Sequence, residues 1–143
     1  MTMNTASIII RIGIKYQHKN GLSLSLKSVK NEFMAVIMEM DNETQLCGYF
    51  RFSVNDQIVM VGLGLNPQFC GRGYGKQLMD LITQEFERRF TDKILELEVR
   101  TFNKRAIQCY LSAGFSKLLT YTKETPIGTD TFLLMRYDKK DIL

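Results

Sequence analysis

The feature that most constrains this chain is a change of hydrophobic period between residues 58 and 99. Ile58 to Leu65 is an apolar run of strand length, of the kind expected of a strand buried on both faces. Pro67, which cannot donate to a sheet ladder, ends it. A glycine cluster follows, Gly71-Arg72-Gly73-Tyr74-Gly75, and then Leu78, Leu81, Ile82, Phe86 and Phe90 recur three or four apart. That spacing predicts one apolar stripe of an amphipathic helix, with Asp80, Gln84, Glu85, Glu87, Arg88 and Arg89 as its solvated face. From Ile94 to Val99 the period returns to two, with Leu95, Leu97 and Val99 on one face and Glu96 and Glu98 on the other. A strand, a crossover helix and a second strand place the two strands parallel in one sheet.

The flanks extend this unit. Phe33 to Met40 and Leu46 to Val54 read as a hairpin around Asp41-Asn42-Glu43-Thr44, with Asn55-Asp56 as the next turn. Downstream, Asn103 is an N-cap, Ala106, Ile107, Tyr110 and Leu111 form a second helical stripe, and Gly114-Phe115 supplies a left-handed stop with its hydrophobic partner. Strands over Leu118 to Lys123 and Thr131 to Tyr137 surround a Pro126–Gly128 turn. Before Glu32 the signal is thin: an apolar piece from Ile8 to Ile14, then the alternation Leu22, Leu24, Leu26. The predicted order is three strands, helix, strand, helix, two strands. This is an α/β fold, a mixed and mostly antiparallel sheet with one parallel pair and helices packed on it. With no repeat and no linker-like stretch, residues 1–143 are expected to form a single domain.

Composition excludes several classes. Hydrophobic residues are 45% and charged residues 24% of the chain, which rules out a disordered reading. No apolar stretch approaches the roughly 20 residues a membrane helix needs, and nothing resembles a secretory leader, so a cytoplasmic protein off the membrane is expected. Cys47, Cys70 and Cys109 are odd in number and lack CxxC spacing, against a disulfide framework or a zinc site. His18 is the single histidine, so neither a Ser-His-Asp triad nor a histidine-rich metal site is expected. A net charge of +4 suits a phosphate-bearing ligand, and without a long basic run no nucleic-acid partner is expected.

Two segments carry chemistry. Glycines 71, 73 and 75 at a helix start let backbone N–H groups approach an anion at the positive end of the helix dipole. The dinucleotide fingerprint fails, because Lys76 and Leu78 stand where its third glycine would fall. A Walker loop fails as well, because Gln77 follows Gly75-Lys76. The second segment runs from Asn103 to Phe115. Taken alone it is a capped amphipathic helix, and Tyr110 alone is a core aromatic.

Together the segments resemble the GNAT superfamily of acetyl-CoA-dependent N-acetyltransferases. Its pattern N-x-x-A-x-x-x-Y-x-x-x-G-F is matched by Asn103, Ala106, Tyr110, Gly114 and Phe115. Of its Q/R-x-x-G-x-G/A loop, Gly73 and Gly75 match, while Cys70 stands in place of Gln or Arg. The resemblance spans about Phe33 to Tyr137 and implies acetyl-CoA as co-substrate, with no metal. It implies that backbone amides of Cys70, Gly71, Arg72, Gly73, Tyr74, Gly75 and Lys76 hold the pyrophosphate. Leu63 and Leu65 would pair with the pantetheine arm, Asn103 would bond the cofactor near its thiol end, and Tyr110 would be the general acid. Leu97-Glu98-Val99-Arg100 with Asn103 also resembles the ribosomal-protein N-terminal acetyltransferases, which implies Glu98 as base. The implied acceptor is a primary amine, a small molecule or a peptide or protein N-terminus, drawn to an acidic face carrying Glu96 and Glu98. Acetyl would pass directly within a ternary complex, on a monomer or homodimer. The family usually places two helices between its first two strands; Lys15 to Glu32 shows no helical stripe, so the acceptor side is expected to be abbreviated or built differently. The alternative reading is a catalytically weak CoA- or acyl-CoA-binding module of the same fold.

Overall fold

The computed structural model describes residues 10–17, 23–29, 33–40, 43–66 and 74–139. Its elements are β1 (Ile10–Gln17), β2 (Ser23–Val29), β3 (Phe33–Met40), β4 (Glu43–Asn55), β5 (Ile58–Leu65), α1 (Tyr74–Arg89), β6 (Ile94–Arg100), α2 (Lys104–Ser112), β7 (Phe115–Thr125) and β8 (Gly128–Tyr137). Strand order in the sheet is β1-β2-β3-β4-β5-β6-β8-β7. The β5–β6 pair is parallel, and β1–β2, β2–β3, β3–β4, β6–β8 and β7–β8 are antiparallel. The mixed sheet with one parallel pair and two helices is therefore as expected.

The count of strands is not. Five strands precede α1 rather than three, because Ile10–Gln17 and the Leu24, Leu26 alternation form β1 and β2. Alternation over a few residues cannot show its partner. Here β3 supplies one, pairing with β2 from Ser23↔Glu39 to Val29↔Phe33.

Two compact units are distinguished. In the first, Met1–Phe52 with Leu63–Leu81, the core is built from Met34, Val36, Cys47, Phe50, Phe52, Leu78, Met79 and Leu81. Gly48 is required there: a Cβ on it would stand 2.6 Å from the Gly64 carbonyl oxygen and 3.3 Å from Leu78 Cδ2. Asn66 extends the same junction, its backbone N–H donating to Cys47 O at 2.8 Å and its side-chain amide to Leu46 O at 2.9 Å.

In the second unit, Ser53–Gly62 with Ile82–Leu143, the buried residues include Val59, Val61, Ile82, Phe86, Leu95, Leu97, Val99, Ile107, Phe115, Phe132, Leu133 and Met135. Ring contacts run from Tyr110 to Phe115, Phe115 to Tyr137, Tyr137 to Phe86 and Phe86 to Phe90, tying α2, β7, β8 and the end of α1 together. The β7–β8 hairpin closes on Gly128 at φ +118°, where Thr125 Oγ1 donates to Gly128 O at 2.6 Å.

Two burial expectations are corrected. β5 is not buried on both faces: Val59 and Val61 are buried, Ile58 and Met60 half-buried, and Gly62 exposed. Its pairing with β6 runs from Ile58↔Ile94 to Met60↔Glu96. Glu85 does not belong to the solvated face of α1 and is 0% exposed. It lies seven residues from Leu78, four from Leu81 and three from Ile82, squarely on the apolar stripe. Arg88, one turn on, neutralises it with a two-point grip: Nε donates to Oε2 at 3.1 Å and Nη2 to Oε1.

Candidate functional site

Of the residues implied for the cofactor, Leu63, Leu65 and Tyr74 to Lys76 fall in the first unit, and Asn103 and Tyr110 in the second. Cys70, Gly71, Arg72 and Gly73 lie outside the described residues, as does His18. Tyr74, Gly75 and Lys76 form the opening of α1, the first two half-buried and Lys76 exposed. The first turn of that helix carries no acidic residue of its own to offset the positive end of its dipole. Such a terminus fits a phosphate. Leu63 and Leu65 are half-buried on β5. Gly64 between them is covered by Tyr49, whose ring carbon would stand 2.5 Å from an added Cβ. Tyr49 in turn meets Phe33 edge-on, with centroids 5.9 Å apart.

The residues implied for catalysis fall in the second unit. Glu98 sits on β6 and Tyr110 on α2, which follows after a short turn. That turn is pinned by Thr101 N–H donating to Thr131 O at 3.1 Å and Asn103 N–H donating to Arg100 O at 2.9 Å. Asn103 caps α2 as its position predicts, Oδ1 accepting the Ala106 N–H at 3.3 Å. The helix stops at Gly114, φ +100°, with Phe115 buried behind it.

Tyr110 is half-buried, its ring centroid 6.3 Å from that of Phe115. Burial, with a smaller contribution from Cys109, pushes its hydroxyl up to about 12. At neutral pH it is fully protonated, the state a proton donor requires.

Glu98 is not a free carboxylate. Tyr121 donates its hydroxyl to Oε2 and Lys123 donates Nζ to Oε1, so both oxygens are engaged. Burial alone would raise its pKa, but the Lys123 and Tyr121 hydrogen bonds and the Lys123 charge outweigh it and hold the carboxyl below the ordinary glutamate range. Glu96, beside it on the strand, is buried and gripped by Arg136, directly opposite on β8: Nε and Nη2 both donate to Oε2, at 2.9 and 2.6 Å. The acidic face expected of Glu96 and Glu98 is therefore matched by cations. Tyr121, Lys123 and Arg136 are the residues sequence reasoning missed. The alternation of β7 shows that Leu119, Tyr121 and Lys123 share a face, but not that this face reaches Glu98. Among the described residues no group of three His, Cys, Asp or Glu side chains is placed to hold a metal ion, and no helix is long and apolar enough to cross a membrane.

Comparison with known proteins agrees with this fold. Among solved structures the fold is similar to the ribosomal-protein-S18-alanine N-acetyltransferase of Escherichia coli, with TM-score 0.58 and 19% identity over 79% of this chain and 76% of that one. It is similar to a chimeric spermidine N-acetyltransferase from Vibrio cholerae and hSSAT, with TM-score 0.63 and 17% identity over 76% of this chain and 68% of that one. It is also similar to a Bacillus subtilis acetyltransferase solved in complex with CoA, with TM-score 0.60 and 14% identity over 78% of this chain and 80% of that one. A search of curated proteins finds no match. A family profile described as "Acetyltransferase (GNAT) family" matches residues 14–115. Since that match takes in most of the chain, including the strand–glycine loop–helix unit and the capped helix that first suggested it, the chain belongs to the GNAT family of acetyltransferases.

Proposed function

We propose that this protein transfers acetyl from acetyl-CoA to a primary amine, both substrates bound together in a ternary complex. The observation that carries this reading is a half-buried tyrosine on α2 that holds its proton firmly, and the first unit adds an α1 start free of acidic residues after the glycine cluster. Acetyl-CoA, when bound, supplies the thioester that the amine attacks. The amides from Cys70 to Lys76 would hold its pyrophosphate at the helix terminus. Beyond Met60, β5 makes no further pair with β6 among the described residues. The strand around Leu63 and Leu65 would therefore pair with the extended pantetheine arm as an added strand. Asn103 commits Oδ1 to the cap, which leaves its amide nitrogen to bond the cofactor.

An ammonium has no lone pair, so the acceptor must lose a proton before attack. Glu98 takes that proton, directly or through water, and the Tyr110 hydroxyl gives one to the departing thiolate. No covalent enzyme intermediate is required. Acceptors worth trying first are those named for the structural relatives, a polyamine such as spermidine and a peptide beginning with alanine. One observation favours a second reading, a CoA-binding module of low catalytic power: both oxygens of Glu98 are already engaged.

Thermal shift with acetyl-CoA, followed by thiol release on adding a panel of amines and peptides, separates the two readings. Stabilisation by acetyl-CoA with amine-dependent thiol release supports the transferase. Stabilisation without release from any amine supports the module, and no stabilisation sinks both. Glu98→Gln should lower the rate most near neutral pH and less at alkaline pH, where the amine deprotonates unaided. A loss independent of pH would remove Glu98 as base.

A further inference from the structure

We propose that Tyr121 and Lys123 are positioning residues for Glu98, and that the acceptor's ammonium takes the place of Lys123 at Oε1. The inference rests on the reading of Glu98 as base. Both residues lie on β7, with β8 between their strand and β6. What carries them across is Phe132 of β8, a buried ring directly opposite Tyr121 in register. Tyr121 stacks along it with centroids 6.2 Å apart and ring planes at 25°, while Lys123 Nζ sits 4.5 Å from its centroid. The buried ring is a fixed platform that aims one hydroxyl and one ammonium at the same carboxylate.

Among the described residues, the other charged groups on β6 and β8 near Glu98 are paired with one another, although the Arg100 guanidinium also lies over the Phe132 ring, 5.6 Å from its centroid. On β6, Glu96 is held by Arg136 of β8, and Arg100 donates to Asp130 of β8 at 3.2 Å. Among the described residues Lys123 is thus the cation paired with Glu98, and its nature suits exchange. It is a single ammonium on a flexible stem, with 44% of its side chain exposed, where an arginine would grip both oxygens in a fork. An incoming ammonium replaces like with like. One ammonium proton passes to Oε1 of Glu98, the lone pair so freed forms the new C–N bond to the acetyl carbon, and the C–S bond breaks to leave the thiolate that Tyr110 protonates. The second nitrogen proton, lost as the amide forms, passes through solvent to restore the Tyr110 hydroxyl, and Glu98 releases its proton to water.

The test uses the full chain with carboxyl-labelled glutamate, Glu98 being identified in NMR spectra by the signal missing in Glu98→Gln. Lys123→Met should raise the titration midpoint of Glu98 by about one pH unit, and Tyr121→Phe should raise it less. Lys123→Arg should restore it. In thiol-release assays with the fastest amine of the panel, the acid limb of kcat/KM should move with the midpoint. The amine KM should fall several-fold in Lys123→Met and rise in Lys123→Arg, a split that a merely structural role would not produce. A midpoint unmoved in both Lys123→Met and Tyr121→Phe overturns the positioning role, and an unchanged amine KM in Lys123→Met overturns the exchange. Full activity in Glu98→Gln with the midpoints shifting as stated overturns instead the assignment of Glu98 as base.

Discussion

Tyr110 shows how one side chain acquires a role from its surroundings. Its position in N-x-x-A-x-x-x-Y is visible in the sequence, but how far into alkaline pH it keeps its proton is set chiefly by burial. A hydroxyl held near 12 is a weak acid that is always loaded, suited to a thiolate that develops only as the thioester breaks. Tyr110→Phe keeps the ring packing and removes the proton, so turnover should fall by roughly 10²–10⁴-fold while acetyl-CoA affinity changes little. Parallel measurement of kcat and of acetyl-CoA binding checks this, and wild-type turnover would remove the acid assignment. Glu98 teaches the converse lesson. Strand alternation turned it away from Leu97 and Val99, but its two hydrogen-bond donors come from residues 23 and 25 positions later.

At the scale of elements, the helices show position overriding residue type. Glu85 is charged, yet the geometry of α1 places it among Leu78, Leu81 and Ile82, and burial follows from the helix period. Arg88→Ala would leave that carboxylate buried without its guanidinium partner, at a cost of about 1–3 kcal/mol. Chemical denaturation should show the midpoint falling with an unchanged slope. The stop of α2 is equally exacting. Gly114 adopts φ +100°, and a Cβ there would come within 3.3 Å of Tyr137 Cε1. Gly114→Ala should therefore destabilise by about 1–3 kcal/mol, from backbone strain and from displacing a ring that packs on Phe86 and Phe115. A stability equal to wild type would show that the stop tolerates a side chain.

For the molecule as a whole, the buried ionisable groups set an alkaline limit. Burial raises Cys47 from its ordinary 9.0 to about 11, and Tyr110 and Tyr121 from 10.0 to about 12. For Tyr121 the hydrogen bond to Glu98 and the nearby carboxylates add to burial. A group whose folded pKa is raised holds its proton more tightly in the native state. The stability it contributes is complete below the unfolded value and is lost as pH rises through the folded one. The melting temperature should therefore begin to fall above about pH 9, through Cys47, and fall faster above about pH 10, through the tyrosines. Melting curves between pH 8 and pH 11 check this, and Cys47→Val should flatten the first part of the decline. Glu98, whose pKa is depressed, acts at the other end: its contribution is present above the unfolded glutamate value and is lost as pH falls through the folded one.

The elements that local chemistry dictates were legible before any coordinates. β5, α1, β6 and α2 follow from period, caps and a glycine stop, since each depends on residues within a few positions of one another. The family pattern was legible for the same reason, being written in two short segments. The added pair β1 and β2 and the neutralised face of Glu96 and Glu98 were not. Each depends on which strand lies beside which and in what register, a choice made by pairing and packing across the sheet rather than along the chain. A strand's alternation says which side chains share a face. Only its neighbours decide whether a carboxylate on that face meets water, an arginine, or a lysine and a tyrosine standing on a buried phenylalanine.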